Sequence, residues 1–262
     1  MDVAQKKPSI STGPLHVRDL DECRNSEKGS VLIIASGASA KHFPLHQYAD
    51  VPMITMNGAI SKFIGTGISP FFYVCTDQGF SEQQPELFTK AMRLSARVAL
   101  WEKHIWHTSF KPQGDLYFLK RAPRLSWRDL FRTDKELVRN RKIGNGRNKT
   151  LGFSKNLKRG FFDARTVAYL AIQLAYHLGF NKVFLVGVDL DPSVSRFYET
   201  SETFISPCAL DDHFHTRILP SFAILAKSVV NKDFQVYNLS STSKIPVDLV
   251  PRVTLDELDR LI

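Results

Sequence analysis

Short apolar runs that stop abruptly at small or polar residues recur along this chain and restrict how it can fold. Five runs share this form: 31–35, 52–56, 71–75, 182–186 and 234–237. They are rich in β-branched and aromatic residues and are almost continuously apolar, which is typical of strands covered on both faces. The pattern therefore predicts a mostly parallel sheet.

Helical segments lie between these strands. The clearest is Ala164–Leu178, rich in Ala and Leu and followed by Gly179, a residue that favours a helix end. Ile218–Asn231 is a second, with Pro220 tolerable in its first turn. Alternating strands and helices predict right-handed crossovers and a doubly wound, Rossmann-like α/β fold with helices on both faces of the sheet.

The chain is long enough for one domain, which we expect over residues 31–262. Residues 1–30 are polar, lack the apolar segment of a signal peptide and are expected to form a flexible lead-in. Three widely spaced cysteines (Cys23, Cys75 and Cys208) predict neither a disulfide framework nor a metal site and suit a reducing cytoplasm. No apolar run approaches the roughly 18–20 residues that span a bilayer.

The net charge of +9 is concentrated in one region. Residues 119–165 contain fifteen basic and four acidic residues, which favours a nucleic acid, an anionic membrane or a phosphorylated substrate as partner. A solvated surface is the alternative. Segment 126–138 has the pattern of an amphipathic helix, either interfacial or packed on the core, and 139–149 resembles a mobile basic loop. We expect residues of about 103–159 to form an insertion that faces acceptor or membrane.

Polar residues follow the first three predicted strands directly. Gly37 and Ser39 lie in the first turn, Asn57 follows the second strand, and Thr76 and Asp77 follow the third. Ligands of doubly wound sheets bind beyond the carboxyl ends of the strands, where these residues converge. A turn-stabilising role is the alternative for each residue, but their repeated placement predicts a nucleotide pocket.

Two further groups follow the fourth strand. Asp189 and Asp191 form the D-x-D pattern that holds a divalent ion in many glycosyltransferases, but Asp189 can equally cap the turn. No further oxygen ligands are identifiable, so we expect no metal. Arg196 and Tyr198 supply donors suited to a phosphate, or they are ordinary surface residues.

Two histidines, His213 and His215, precede the last long helix beside Asp211 and Asp212. Either imidazole could take the proton of an attacking hydroxyl, because histidine titrates close to neutral pH. Zinc binding and a surface turn without a role are the alternatives.

Several of these segments together resemble the lipopolysaccharide-core transferases of 3-deoxy-manno-octulosonic acid (Kdo). They lie in order at 31–40, 56–58, 73–77, 153–160, 166–176, 187–191, 195–198 and 237–240. The layout is more distantly similar to the CMP-sialic-acid transferases of lipooligosaccharide. The likeness covers residues 31–77 and 153–258.

The resemblance implies an inverting enzyme that moves Kdo from CMP-Kdo onto a lipopolysaccharide core or lipid A acceptor, without a cofactor. It implies that Gly37, Ser39, Asn57 and Thr76 contact the cytidine nucleotide. Arg196 and Tyr198 would face its phosphate, and His215 would be the base, with His213 as the rival. It places the enzyme in the cytoplasm, peripheral on the inner face of the inner membrane, with no nucleic acid partner. The alternatives are a metal-dependent pyrophosphokinase-like enzyme and a basic nucleic-acid-binding protein.

Overall fold

The computed structural model describes residues 15–106, 111–124, 134–140, 150–191, 193–199 and 213–262. Its main feature is an eight-stranded sheet, accompanied by a separate two-stranded hairpin. In chain order the strands are β1 Val17–Arg18, β2 Ser30–Ile34, β3 Met53–Met56, β4 Phe72–Cys75, β5 Arg97–Trp101, β6 Asp115–Leu119, β7 Leu137–Arg139, β8 Gly152–Ser154, β9 Lys182–Val186 and β10 Gln235–Asn238.

The large sheet has the strand order β1-β6-β5-β4-β3-β2-β9-β10, and every neighbouring pair in it is parallel. All five strands predicted from the apolar runs are present, with ends that shift by one residue at most. The order runs outward in both directions from the β2–β9 pair, so the sheet is doubly wound and the predicted fold class is confirmed.

Helices cover both faces of the sheet. They are α1 Gln78–Gln83, α2 Pro85–Leu94, α3 Glu102–Trp106, α4 Val167–Leu178, α5 Leu219–Ser228 and α6 Leu255–Leu261. Successive residues of one strand enter different cores: Ile33 packs with α4 and α5, whereas Ile34 packs with α2. The continuous apolar runs thus have the physical cause expected of them, since both faces of the strands are buried.

The two predicted helices are present, but both start later than predicted and the second ends at Ser228, three residues before the predicted Asn231. Helix α4 spans Val167–Leu178 and is followed by Gly179, whose φ of +102° is a left-handed conformation that suits glycine. Helix α5 contains Pro220 in its first turn and is preceded by a π-helical turn over Phe214–Ile218. Single π-helical turns of this kind are frequent near functional sites.

The strands on one side of the sheet were not predicted from the sequence. Strand β6 lies within the predicted insertion over residues 103–159, yet it pairs with β5 and β1 in the main sheet. Part of the predicted flexible lead-in is also ordered, because Val17–Arg18 pairs with β6 and Leu20 and Cys23 are buried in the core. Both segments become parts of the fold through pairing with residues distant in sequence, which a local pattern does not reveal.

The amphipathic helix predicted over 126–138 is wrong at its end. Residues Leu137–Arg139 form β7, which pairs antiparallel with β8, and the carboxylate of Asp134 accepts the backbone N–H groups of Glu136 and Leu137. This local turn competes with helical hydrogen bonding, and the hairpin partner then fixes an extended backbone. Residues 126–133, residues 141–149 of the predicted basic loop, Cys208, Asp211 and Asp212 lie outside the described residues.

Candidate functional site

A cleft of about 660 Å³ crosses the carboxyl edge of the large sheet. Residues directly after β2, β3, β4 and β9 line it, together with Trp101 at the end of β5 and the segment that leads into α4. The predicted rim residues Gly37, Asn57, Thr76 and Asp189 all face this cleft. The convergence expected from the parallel sheet is therefore what the structure shows.

The turns after β2 and β9 are joined to each other. The backbone N–H of Gly37 donates to the carbonyl of Gly187 at 2.9 Å, and Ser39 donates both its backbone N–H and its hydroxyl to the carboxylate of Asp189. A Cβ at Gly37 would lie 2.5 Å from that Gly187 oxygen, so only glycine allows this approach. Both Ser39 donors are thus bonded to Asp189. The Asp189 carboxylate thereby fixes the turn after β2 against the turn after β9.

Asn57 occupies the position after β3 with a strained backbone. Its φ of +43° is left-handed, a conformation that asparagine tolerates better than most residues. Its buried Oδ1 has no hydrogen-bond partner among the described residues. Because an unpaired buried acceptor is costly, this oxygen is suited to a donor on a bound ligand.

Two more predicted residues, Thr76 and Asp77, also line the cleft after β4. The carbonyl of Thr76 accepts the indole N–H of Trp101 at 3.0 Å. The carboxylate of Asp77 accepts the backbone N–H of Phe80 and caps α1. Asp77 therefore has the turn-stabilising role that the sequence left open, and Thr76 is held at the cleft by its backbone.

The segment after β9 folds back over the first turn. The backbone N–H of Phe197 donates to the carbonyl of Ser36 at 3.1 Å, and the guanidinium of Arg196 donates to the hydroxyl of Tyr198 at 2.9 Å. Tyr198 packs its ring against Gly58, where any Cβ would overlap it, and burial raises the pKa of its hydroxyl. Arg196 lines the cleft, whereas Tyr198 lies behind it and positions the arginine.

The structure separates the two candidate histidines. His213 is half-buried and lines the cleft. His215 is exposed, packs edge-on against Phe214 and is not part of the described cleft lining. Residues two apart on a helical turn point in different directions, so the turn that begins here brings only one of them to the site.

One wall of the cleft was not predicted from the sequence. It is formed by Trp101 at the end of β5, Arg121 after β6, and the segment 161–168 that leads into α4. Two positions of the cleft have a strained backbone: Arg165 on this wall has a φ of +65°, and Leu190 opposite has a φ of +53°. Left-handed non-glycine residues cluster at functional sites, and only a structure reveals that signal.

The D-x-D pair does not converge on a common point. The carboxylate of Asp189 is occupied by Ser39, and that of Asp191 accepts the Ser193 hydroxyl at 2.6 Å and lies 3.1 Å from Lys244. The hydrogen bonds from Ser193 are the main cause that lowers the pKa of Asp191. No group of three metal-binding side chains occurs within the part of the chain that the structure describes.

A doubly wound parallel sheet with a cleft at its carboxyl edge defines the protein as a Rossmann-like α/β protein. The MAf glycosyltransferase from Magnetospirillum magneticum AMB-1 is similar, with a TM-score of 0.51 and 15% identity; the match covers 90% of this chain and 37% of that chain. The sialyltransferase CstII from Campylobacter jejuni, solved in complex with cytidine-5′-monophosphate, has a TM-score of 0.41 and 13% identity, over 84% of this chain and 83% of its own.

The family can be stated more narrowly. Residues 15–256 match the family of 3-deoxy-D-manno-octulosonic acid transferase WaaZ. The chain belongs to this family of Kdo transferases and is a glycosyltransferase, as the sequence resemblance implied. A probable 3-deoxy-manno-octulosonic acid transferase of Escherichia coli (strain K12) is 27% identical over 249 residues, covering 89% of this chain and 86% of that protein.

Proposed function

We propose that this enzyme transfers Kdo from CMP-Kdo to a lipopolysaccharide core acceptor, with inversion at the anomeric carbon and His213 as the base. The observation that carries the proposal is that His213 faces the same cleft as Gly37, Asn57 and the amino end of α4. The cleft therefore combines a proton acceptor with a polar rim and with a helix end that attracts anions.

The rim supports a nucleoside monophosphate as the leaving group. The unpaired Oδ1 of Asn57 suits a ribose hydroxyl or the exocyclic amino group of cytosine, both of which donate hydrogen bonds. The amino end of α4 opens onto the cleft at Thr166 and Val167, and no side chain caps it within the described residues. Its free N–H groups and Arg196 would stabilise the departing phosphate.

The reaction needs one proton transfer. His213 removes the proton of the acceptor hydroxyl while its oxygen attacks the anomeric carbon from the face opposite CMP. The bond between that carbon and the phosphate oxygen breaks, and the electron pair leaves with CMP. A single phosphate requires less neutralisation than a diphosphate, so arginine and helix N–H groups are suited to this leaving group without a metal.

The base assignment predicts a large and selective loss of rate. His213→Ala should lower kcat for Kdo transfer by about 10²–10⁴-fold, the usual contribution of a general base. CMP binding, measured by calorimetry, should stay near the wild-type value because the base contacts the acceptor hydroxyl. His215→Ala is the matched control and should keep most of the activity. The reverse result, with His215 essential and His213 dispensable, would contradict the assignment.

The donor class has its own test. Thermal-shift measurements with CMP, CDP, UDP and ATP should show stabilisation by the cytidine nucleotides, because Asn57 lies where a base or ribose would bind. Preferred stabilisation by ATP with magnesium would favour a pyrophosphokinase-like enzyme. A failure of the wild type to use CMP-Kdo with any core acceptor would refute the proposal.

A further inference from the structure

At the carboxyl ends of β5 and β6, the cleft wall contains a cation held in place by a carboxylate and an indole ring. The Nη2 atom of Arg121 donates to the Asp163 carboxylate at 2.8 Å, and its guanidinium carbon lies 5.4 Å from the centroid of the Trp101 ring. The Arg121 side chain is nevertheless 63% exposed. An exposed arginine fixed from two sides is a preorganised site for an anion, because little side-chain freedom remains to be lost.

The backbone of Arg121 is fixed as well. Ala122 donates its N–H to the carbonyl of Phe161 at 2.8 Å, and Phe161 donates its own N–H to Lys120 at 2.9 Å. Gly160, with a φ of +97°, approaches so closely that a Cβ there would lie 2.5 Å from the Arg121 carbonyl. The segment after β6 is therefore attached to the segment that leads into α4.

Asp163 organises a second cation on the same wall. This cation is Arg165, whose backbone N–H donates to Oδ1 of Asp163 at 2.9 Å. The backbone carbonyl of Asp163 is itself held by Nη2 of Arg217, which donates to it at 2.7 Å. Arg165 is exposed and lines the cleft. Within the described residues no carboxylate forms an ion pair with Arg165, so this wall has one positive charge in excess.

We infer that this wall, formed by Arg121, Trp101, Asp163 and Arg165, is the acceptor subsite, and that Arg121 binds an anionic group on the acceptor sugar. The inference rests on the proposed function. In the proposed function the nucleotide-facing residues follow β9, β2, β3 and β4, whereas Trp101 ends β5 and Arg121 follows β6. Adjacent strands lie about 4.8 Å apart, so β5 is about 14 Å from β2, on the side where a sugar beyond the donor would lie.

The anion can be a carboxylate of an acidic sugar or a phosphate on a neutral sugar, since a guanidinium binds both through paired N–H donors. Asp163 is a positioning residue in this scheme. It aligns Arg121 without contacting the acceptor.

The test compares Arg121→Gln with Arg124→Gln. Arg124 is exposed, lies three residues further along and is not in the described lining, so both variants lose one charge from the same basic region. Arg121→Gln should raise the KM for an anionic acceptor about tenfold to a hundredfold, the usual range for a hydrogen bond to a charged group. The KM for CMP-Kdo should stay within about twofold, Arg121→Lys should recover part of the loss, and Arg124→Gln should behave like the wild type.

Binding measured by NMR titration without donor separates this inference from the proposed function. The probes are the methyl glycoside of Kdo, the same glycoside with its carboxylate reduced to an alcohol, a hexose 6-phosphate and the parent hexose. The subsite is supported if the wild type prefers one of the anionic probes and Arg121→Gln loses that preference. The preferred probe then identifies the anion, and this result stands even if CMP-Kdo is not a donor. Equal binding by the two proteins, or a rise confined to the KM for donor, would overturn it.

Discussion

At the scale of single residues, Asp189 shows how a motif can have a structural role in place of the one its pattern suggests. Its D-x-D context is compatible with a metal ligand or with a turn cap, and in the structure it is buried and receives two hydrogen bonds from Ser39. These bonds join the turn after β9 to the turn after β2 across 150 residues of sequence. The carboxylate therefore stabilises the rim on which the proposed nucleotide site depends.

Replacing this carboxylate should destabilise the protein. Asp189→Ala leaves the Ser39 N–H without its partner, which typically costs about 1–3 kcal/mol of unfolding free energy. Asp191→Ala is the control, because its carboxylate lies in a shallower position beside Lys244, and we expect it to unfold like the wild type. Urea denaturation of the two variants measures the difference. If transfer by the wild type required a divalent ion and was abolished by EDTA, the D-x-D pair would instead have the metal role.

At the scale of elements, α4 connects the core to the cleft wall. The buried amide of Gln173 accepts the backbone N–H groups of Ser154 and Phe162 and donates to the Phe162 carbonyl. These bonds attach the segment that carries Asp163 to the helix. Lower on the same helix, His177 accepts the Leu157 N–H through Nδ1, and its Nε2 lies 2.8 Å from the Leu20 carbonyl.

His177 predicts a pH dependence of stability. Burial lowers its pKa below the ordinary value of 6.5, so the unfolded chain takes up a proton at a higher pH than the folded protein does. This contribution to stability is complete above pH 6.5 and is lost as the pH falls through the lowered pKa. The unfolding free energy should then decrease by at most about 1.4 kcal/mol per pH unit from this group, the value for one proton.

Urea denaturation between pH 7.5 and 5 measures this slope. His177→Gln, whose amide can replace the bond to Leu20 and cannot be protonated, should show a shallower dependence. His42→Gln, at an exposed histidine, is the control and should retain the wild-type slope. Identical slopes for all three proteins would exclude His177 as the source.

At the scale of the whole molecule, ion pairs within the fold neutralise part of the basic region seen in the sequence. In the basic region, Arg121, Lys158 and Arg159 form ion pairs with Asp163, Asp19 and Asp134 respectively. Each of these three cations is therefore partly neutralised by a carboxylate of the same chain. No helix in the described ranges has the length and apolar character needed to cross a membrane.

We propose that the remaining basic residues bind an anionic membrane surface, where each contributes about 1 kcal/mol at low salt. Co-sedimentation with vesicles of phosphatidylglycerol and phosphatidylethanolamine should show binding that weakens as salt rises. A variant with glutamine at four basic positions should lose most of it: Arg141, Lys142, Arg147 and Lys149. A control has glutamine at four exposed lysines elsewhere and loses the same charge: Lys28, Lys41, Lys90 and Lys232. Equal losses by both variants would indicate a general charge effect and no specific surface.

The sequence by itself determined the parts of this protein that depend on local pattern. Continuous apolar runs are needed wherever a strand is covered on both faces, so they identified five strands, and the parallel arrangement placed Gly37, Asn57, Thr76 and Asp189 at one edge. Helix α4 and its end at Gly179 were equally visible, because a left-handed residue after a helix favours glycine.

The tertiary structure decided what depends on contacts between distant segments. Strand β6 joins the sheet through its pairing with β5 and β1, and Leu137 is extended because its partner is Ser154. Only the packed molecule places Arg121 against Asp163 and directs His213 rather than His215 into the cleft. Side-chain direction and long-range pairing are set by the burial of the whole core, and no short stretch of sequence contains that information.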